Sequence, residues 1–289
     1  MKIVAFETGN GTHFGVVEGD NVIDLNAADP GAPTDLGDWL RRGDVKAMGE
    51  AAKKAPASAR VPLKGLKFGS LVGKGAKIIC LGLNYLDHVK EGPQKDNIPK
   101  FQSIFFRMGS SLVPHGQPLL APKKSIQFDY EGELVVIIGK RAKHLTLANA
   151  TDCIAGYACG MEGSIREYQR HTTQWGMGKN FDQTGSVGPW MTTADELAKG
   201  GKGLKIETRL NGKTMQSSNT DLFMFPVAES LVYLTEGITL EPGDILFTGT
   251  PSGVGHARKP DPVWMKAGDT VEVEIAGVGV LRNTIETEK

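Results

Sequence analysis

Residues 128–139 read Phe128-Asp129-Tyr130-Glu131-Gly132-Glu133-Leu134-Val135-Val136-Ile137-Ile138-Gly139. The second half is a continuous apolar run closed by a glycine, the pattern of a strand buried on both faces. Two acids, Glu131 and Glu133, stand at its mouth. Strand side chains alternate with period two, so both carboxylates point to the face that Val135 and Ile137 carry into the interior. Like charges placed there need a proton, a basic partner or a metal cation. A hard divalent ion such as Mg²⁺ suits an all-oxygen site.

Glu-x-Glu can also mark the wet side of an antiparallel strand. Thr270-Val271-Glu272-Val273-Glu274-Ile275 is such a case, because its acids alternate strictly with apolar residues and should face water. Nothing of that kind follows Glu133, where both faces turn apolar at once. Spacing alone leaves both readings of the first pair open.

The 289 residues carry a formal net charge of zero and ordinary hydrophobic and charged fractions, as expected of one large or two smaller globular units. Lysine clusters such as Lys53-Lys54 and Lys123-Lys124 are too short to neutralise many phosphates, which argues against a nucleic-acid partner. A glutamate at position 7 interrupts the N-terminus too early for a signal peptide, and no apolar run approaches ~20 residues, so a cytoplasmic protein without membrane spans is expected. Cys80, Cys153 and Cys159 have no CxxC spacing and apolar neighbours, and read as buried free thiols. Glycine, at 37 residues against an average share of ~7%, favours many short strands and tight turns.

Residues 1–70 read as a separate small unit, with short strands at Ile3–Phe6, Thr12–Val17 and Asn21–Leu25. Helical segments follow around Leu36–Arg41 and Val45–Lys54. The Ala55-Pro56-Ala57-Ser58-Ala59 stretch is a plausible linker, placing a boundary near Leu71. The unit 71–289 opens with a buried strand at Lys77–Leu83. A short helix ended by Gly92-Pro93 then sets His88 and Glu91 three residues apart on one face. That pair can orient a water as general base, or be a surface ion pair. If Met161–Arg170 is helical, Glu162, Arg166 and Gln169 share a stripe, suited to a metal and a substrate carboxylate or to a plain i,i+4 salt bridge. His171–Asp182 is polar and glycine-rich with an embedded Trp175, like a loop over a site. Asn211-Gly212 is the strongest hairpin signal. Pro226 starts a helix whose Val227, Leu231 and Leu234 form one stripe ending at Gly237. Asp244–Gly255 is a strand running into a glycine-rich turn, without the Gly-Lys-Ser/Thr of a phosphate loop.

Gly82-Leu83-Asn84-Tyr85 with Asp87-His88, Asp129-Tyr130-Glu131-Gly132-Glu133, Gly178-Lys179-Asn180-Phe181, Leu240-Glu241-Pro242-Gly243-Asp244, Thr248-Gly249-Thr250-Pro251 with Gly253-Val254-Gly255, and Leu281-Arg282-Asn283-Thr284 come in an order that resembles the fumarylacetoacetate hydrolase family over Lys77 to Ile285. The resemblance implies an α+β, mainly β chain with a mixed β-roll core, a Mg²⁺ or Mn²⁺ ion and a homodimer. It implies metal ligation by Glu131 and Glu133, a catalytic His88–Glu91 dyad, an active-site Lys179, and substrate contacts from Arg166, Gln169 and Thr250. Glu162 would complete the ligand set at a position where the family more often has aspartate. Family members include hydrolases of acylpyruvates and other 2,4-diketo acids, decarboxylases, isomerases and sugar-acid dehydratases. The expectation is therefore a Mg²⁺-dependent hydrolase of a C–C bond in a 2-oxo acid, with enolate chemistry lacking water attack as the alternative.

Overall fold

The structure, a computed structural model, describes residues 1–92 and 95–289 apart from the Asp44 side chain; Pro93, read as part of a helix stop, lies outside them. A long mixed sheet runs in the order Arg60–Pro62, Asn21–Asp24, Gly11–Glu18, Lys2–Thr8, Gly185–Thr193, Ile154–Met161, Gly132–Ile138, Ile245–Phe247, Ile78–Gly82, Ser103–Arg107. Neighbours are antiparallel except Ile245–Phe247 beside Ile78–Gly82. A second sheet runs Lys213–Asn219, Lys205–Leu210, Thr270–Ile275, Gly279–Thr287, Leu119–Ala121. The mainly β character expected from the sequence is what the chain adopts.

The strand at Gly132–Ile138 is interior to the long sheet and buried along its whole length. Leu134, Val136 and Ile138 enter a core shared with Ile206, Val271, Val273 and Leu281 of the second sheet and with Val227, Leu231 and Leu234 of the helix Val227–Gly237. Val135 and Ile137 enter a different core, with Ile3, Phe14, Trp39 and Met48 of the N-terminal segment. A strand between two cores has no wet face, and that is why the run is continuous rather than alternating. Each fully buried branched side chain here contributes roughly 1.5–3 kcal/mol.

The two N-terminal helical segments join into one helix, Leu36–Lys54, capped by the Asp35 carboxylate on the Asp38 amide. Gly43 does not break it: a mid-helix glycine costs only about 1 kcal/mol, less than the burial of Leu36, Trp39, Leu40 and Met48 returns. Lys2–Thr8 pairs with Gly185–Thr193, so the N-terminal strands continue the long sheet. Asn211 and Gly212, with φ of 52° and 78°, form the hairpin turn. Met161–Arg170, in contrast, is not one helix. Met161 ends a strand, Ser164–Ile165 pairs with Phe128–Asp129, and only Arg166–Gln169 is helical. Sheet pairing outweighs the local helical pattern there. All three cysteines are buried and free. Among the described residues no helix is long and apolar enough to cross a membrane.

Candidate active site

Glu131 directly precedes the central strand and Glu133 is its second residue, paired opposite Gly160. The Glu162 amide donates to the Glu131 carbonyl at 2.8 Å, which brings the third acid beside the first two. One carboxylate oxygen from each of the three lies within 4.8 Å of the others, and all three residues are buried. Gly132 separates the pair because a Cβ there would run into the Thr208 hydroxyl. The acids floor a cavity of about 100 Å³, also lined by His88, Phe105, Arg166, Gln169, Arg170, Trp175, Lys179, Thr250 and His256.

The glycine-rich turn after Phe247 is a hub of backbone donors. Its Gly249 amide donates to Glu133 at 2.6 Å, the Gly253 amide to Glu91 at 2.9 and 3.0 Å, and the Gly255 and His256 amides to Asp129 at 2.6 and 3.0 Å. His88 Nδ1 lies 2.9 Å from Glu91 Oε1, and His88 is 8% exposed, so the pair is not a solvated surface bridge. The Thr250 hydroxyl donates to the Gly132 carbonyl at 2.9 Å and accepts from the Gln216 amide at 2.8 Å. Gln216 also accepts from the Gly132 amide, tying the second sheet to the mouth of the central strand.

Three cations thread the acids. Lys179 Nζ lies 2.6 Å from Glu131 and 2.7 Å from Glu162, and 5.0 Å from the Phe105 ring centre. Arg166 meets Asp129 at 2.7 Å, Glu131 at 2.6 Å and Gln169 at 2.8 Å. Arg107 stands 3.8 Å from Glu162. Burial alone raises the Glu131 carboxyl, but Lys179, Arg166 and His88 outweigh it and hold the group well below the usual carboxylate range. Burial lowers the Lys179 ammonium, and Glu131 and Glu162 overcome this to raise it. Glu133 is the opposite case: burial, reinforced by Glu162 and Glu131, pushes its carboxyl well above the usual range. Among the described residues Glu133 has no ion-pair partner, and Glu162 Oε1 is buried without a hydrogen-bond donor. Three hard oxygen donors with one carboxylate uncompensated fit a divalent cation such as Mg²⁺ or Mn²⁺.

Eight of the nine expected site residues line this one cavity: His88, Lys179, Arg166, Gln169, Thr250, Glu131, Glu133 and Glu162. Glu91 stands behind His88. The stripe of Glu162, Arg166 and Gln169 converges through a strand end and a short helical turn rather than through one helix. Arg166 is engaged by Asp129, Glu131 and Gln169, whereas the Arg170 side chain has no hydrogen bond or ion pair among the described residues. Sequence reasoning missed Arg170, His256, Asp129 and Gln216. Asp129 was visible in the opening stretch, and His256 directly follows the glycine-rich turn; Gln216 gave no local signal. Glu272 and Glu274 point outward as expected, with Arg209 at 3.1 and 2.7 Å from them.

The family profile described as fumarylacetoacetate (FAA) hydrolase C-terminal matches residues 77–286, and the chain belongs to this family. A second profile, Rv2993c-like, N-terminal, matches residues 1–46. The chain is 37% identical over 290 residues to the rat protein named oxaloacetate tautomerase Fahd2a, mitochondrial, covering 99% of this chain and 91% of the relative. Among solved structures it is similar to a fumarylacetoacetate hydrolase from psychrophilic Exiguobacterium antarcticum, at 32% identity and a TM-score of 0.85, with 100% of both chains covered. It is also similar to maleylpyruvate hydrolase from Sphingobium sp. SYK-6 in complex with manganese(II) and pyruvate, at 27% identity and a TM-score of 0.79, again over 100% of both chains.

Proposed function

We propose that this chain is a Mg²⁺- or Mn²⁺-dependent enzyme of 2-oxo acids, interconverting the keto and enol forms of a small 2-oxo diacid. The observation that carries the reading is the buried Glu131–Glu133–Glu162 cluster facing the same small cavity as His88. The full-length likeness to oxaloacetate tautomerases supports the substrate class. A cation held by the three glutamates would supply Lewis-acid polarisation of the 2-oxo group. His88, its Nδ1 held by Glu91, offers Nε2 for moving a proton to or from the substrate. Lys179 adds positive charge at the cavity floor, where negative charge develops on the 2-oxygen. Gln169 and Thr250 position the acid, and Arg166 braces Glu131 and Gln169. Arg170, which lines the cavity and whose side chain has no hydrogen bond or ion pair among the described residues, takes a substrate carboxylate.

A second reading, hydrolytic cleavage of an acylpyruvate, is favoured by the His88–Glu91 dyad, which is also the arrangement of a water-activating base. The likeness to maleylpyruvate hydrolase supports it. Both readings are tested together by offering oxaloacetate and an acylpyruvate to the enzyme with Mg²⁺ or Mn²⁺. Enol loss is followed by ultraviolet absorbance and cleavage by the pyruvate released. His88→Ala is expected to cost ~10²–10⁴-fold in kcat on the true substrate while cation binding persists. Turnover of neither compound above the rate of the free metal ion rejects the proposal.

A further inference from the structure

The Gly255–Ala257 turn carries into the cavity a second imidazole that the reading above does not use. His256 Nδ1 lies 3.2 Å from Asp129 Oδ2, and its side chain is only 12% exposed. Its Nε2 is buried with no hydrogen-bond partner among the described residues. Asp129 accepts from the Tyr130, Gly255 and His256 amides and from Arg166 Nε, at 2.6 to 3.0 Å. A carboxylate ringed by donors and touching a guanidinium is ionised and only accepts, so His256 Nδ1 carries the hydrogen. In the neutral ring Nε2 is then the lone-pair nitrogen. A histidine serving only to fill the core pairs both nitrogens; this one lines the cavity and leaves its buried Nε2 unpaired among the described residues. His88 repeats the arrangement, with Nδ1 on Glu91 and Nε2 left available. Two carboxylate-oriented imidazoles therefore line one cavity, and His256 shares an Asp129 oxygen with Arg166.

We propose that His256 is a second catalytic acid–base group, which together with His88 moves a proton between C3 and the 2-oxygen of the bound acid. The inference rests on reading the site as one for 2-oxo acids. The step requires one extra proton on the pair. In the direction of the enol, the neutral imidazole takes a proton from C3, and the C3–H electron pair becomes the C2–C3 double bond. The carbonyl π pair goes to the 2-oxygen, which takes the proton of the imidazolium. The two rings exchange states, and neither water nor an oxidant is consumed. One imidazole alone would have to carry the same proton from C3 to the 2-oxygen; two imidazoles serve both atoms without that travel.

The test uses the full chain loaded with Mg²⁺ and two variants. In His256→Asn an amide N–H takes the place of Nδ1–H toward Asp129, with nothing at the Nε2 position; His256→Gln is the reserve if the first does not fold. Expected is a fall of ~10²-fold or more in kcat for oxaloacetate tautomerisation with KM little changed, the signature of a lost acid–base group. A wild-type kcat in the variant, or a loss confined to KM, overturns the proposal. Exchange of the C3 hydrogens of 2-oxobutyrate with D₂O, followed by NMR, reads the same proton transfer without net turnover. Wild-type exchange that His256→Asn slows ~10²-fold supports His256 even if oxaloacetate proves a poor substrate. Absence of exchange in the wild type, or equal exchange in the variant, refutes it.

Discussion

Glu131 and Glu133 are separated by one glycine and share a face, yet their surroundings oppose each other. Glu131 is held ionised by Lys179 and Arg166; Glu133 receives one backbone amide, and burial beside two other acids drives it toward protonation. Substitution should expose the difference. Glu131→Gln and Glu133→Gln are both expected to abolish Mg²⁺ binding in calorimetry, because an amide brings no net charge to a hard cation. In metal-free urea unfolding, Glu131→Gln should lose about 1.5–3 kcal/mol, since it takes one of two carboxylate partners from each of Lys179 and Arg166. Glu133→Gln should be neutral or stabilising, because among the described residues its carboxyl has no ion-pair partner to lose and burial already drives it toward the uncharged form. Equal losses in both would contradict this account of the site.

Among the elements, the glycine-rich turn at residues 248–255 joins the dyad, the acid cluster and Asp129 through backbone amides, while Gln216 reaches it from the second sheet. A further link lies away from the site. His115 Nδ1 accepts from the Arg282 amide and packs edge-on to Phe68 at 4.5 Å, joining the C-terminal strand to the N-terminal segment. Burial, helped by the Arg282 charge, lowers His115 from its ordinary 6.5 to about 4. The folded chain thus resists a proton that the unfolded chain accepts. The contribution is complete above about pH 6.5 and is lost as pH falls through about 4. In thermal unfolding the wild type should therefore lose more Tm between pH 7 and pH 4 than His115→Gln, whose amide can accept the same hydrogen bond. Parallel curves for the two would rule out this linkage.

At the scale of the whole molecule, the N-terminal segment covers the Val135 and Ile137 face of the central strand and extends its sheet through Lys2–Thr8. The edge strand Ser103–Arg107 and the chain just after it leave Phe106 51% and Met108 66% exposed, close to Asn180 at the site's rim. We propose, from the family resemblance, that the chain is a homodimer. Sedimentation at micromolar concentration should give twice the chain mass, and an active monomer would dismiss the idea.

The sequence by itself determined what local pattern can carry: the doubly buried strand, the two acids on one face of it, the Asn211-Gly212 hairpin, the Val227–Gly237 helix and the ordered motifs of the family. These depend on periodicities of two and 3.6 and on turn chemistry, all local properties. Only the tertiary structure decided that Arg166 is taken up by Asp129 and Glu131, that the Arg170 side chain has no hydrogen bond or ion pair among the described residues, and that Asp129 and Gln216 brace the site. It alone joined the N-terminal helix across Gly43 and broke Met161–Arg170 into strand and turn. His256 entered the cavity in the same way, through an aspartate 127 positions earlier. Contacts between residues so far apart in the chain are set by how sheets and cores pack, and no short window of sequence encodes them.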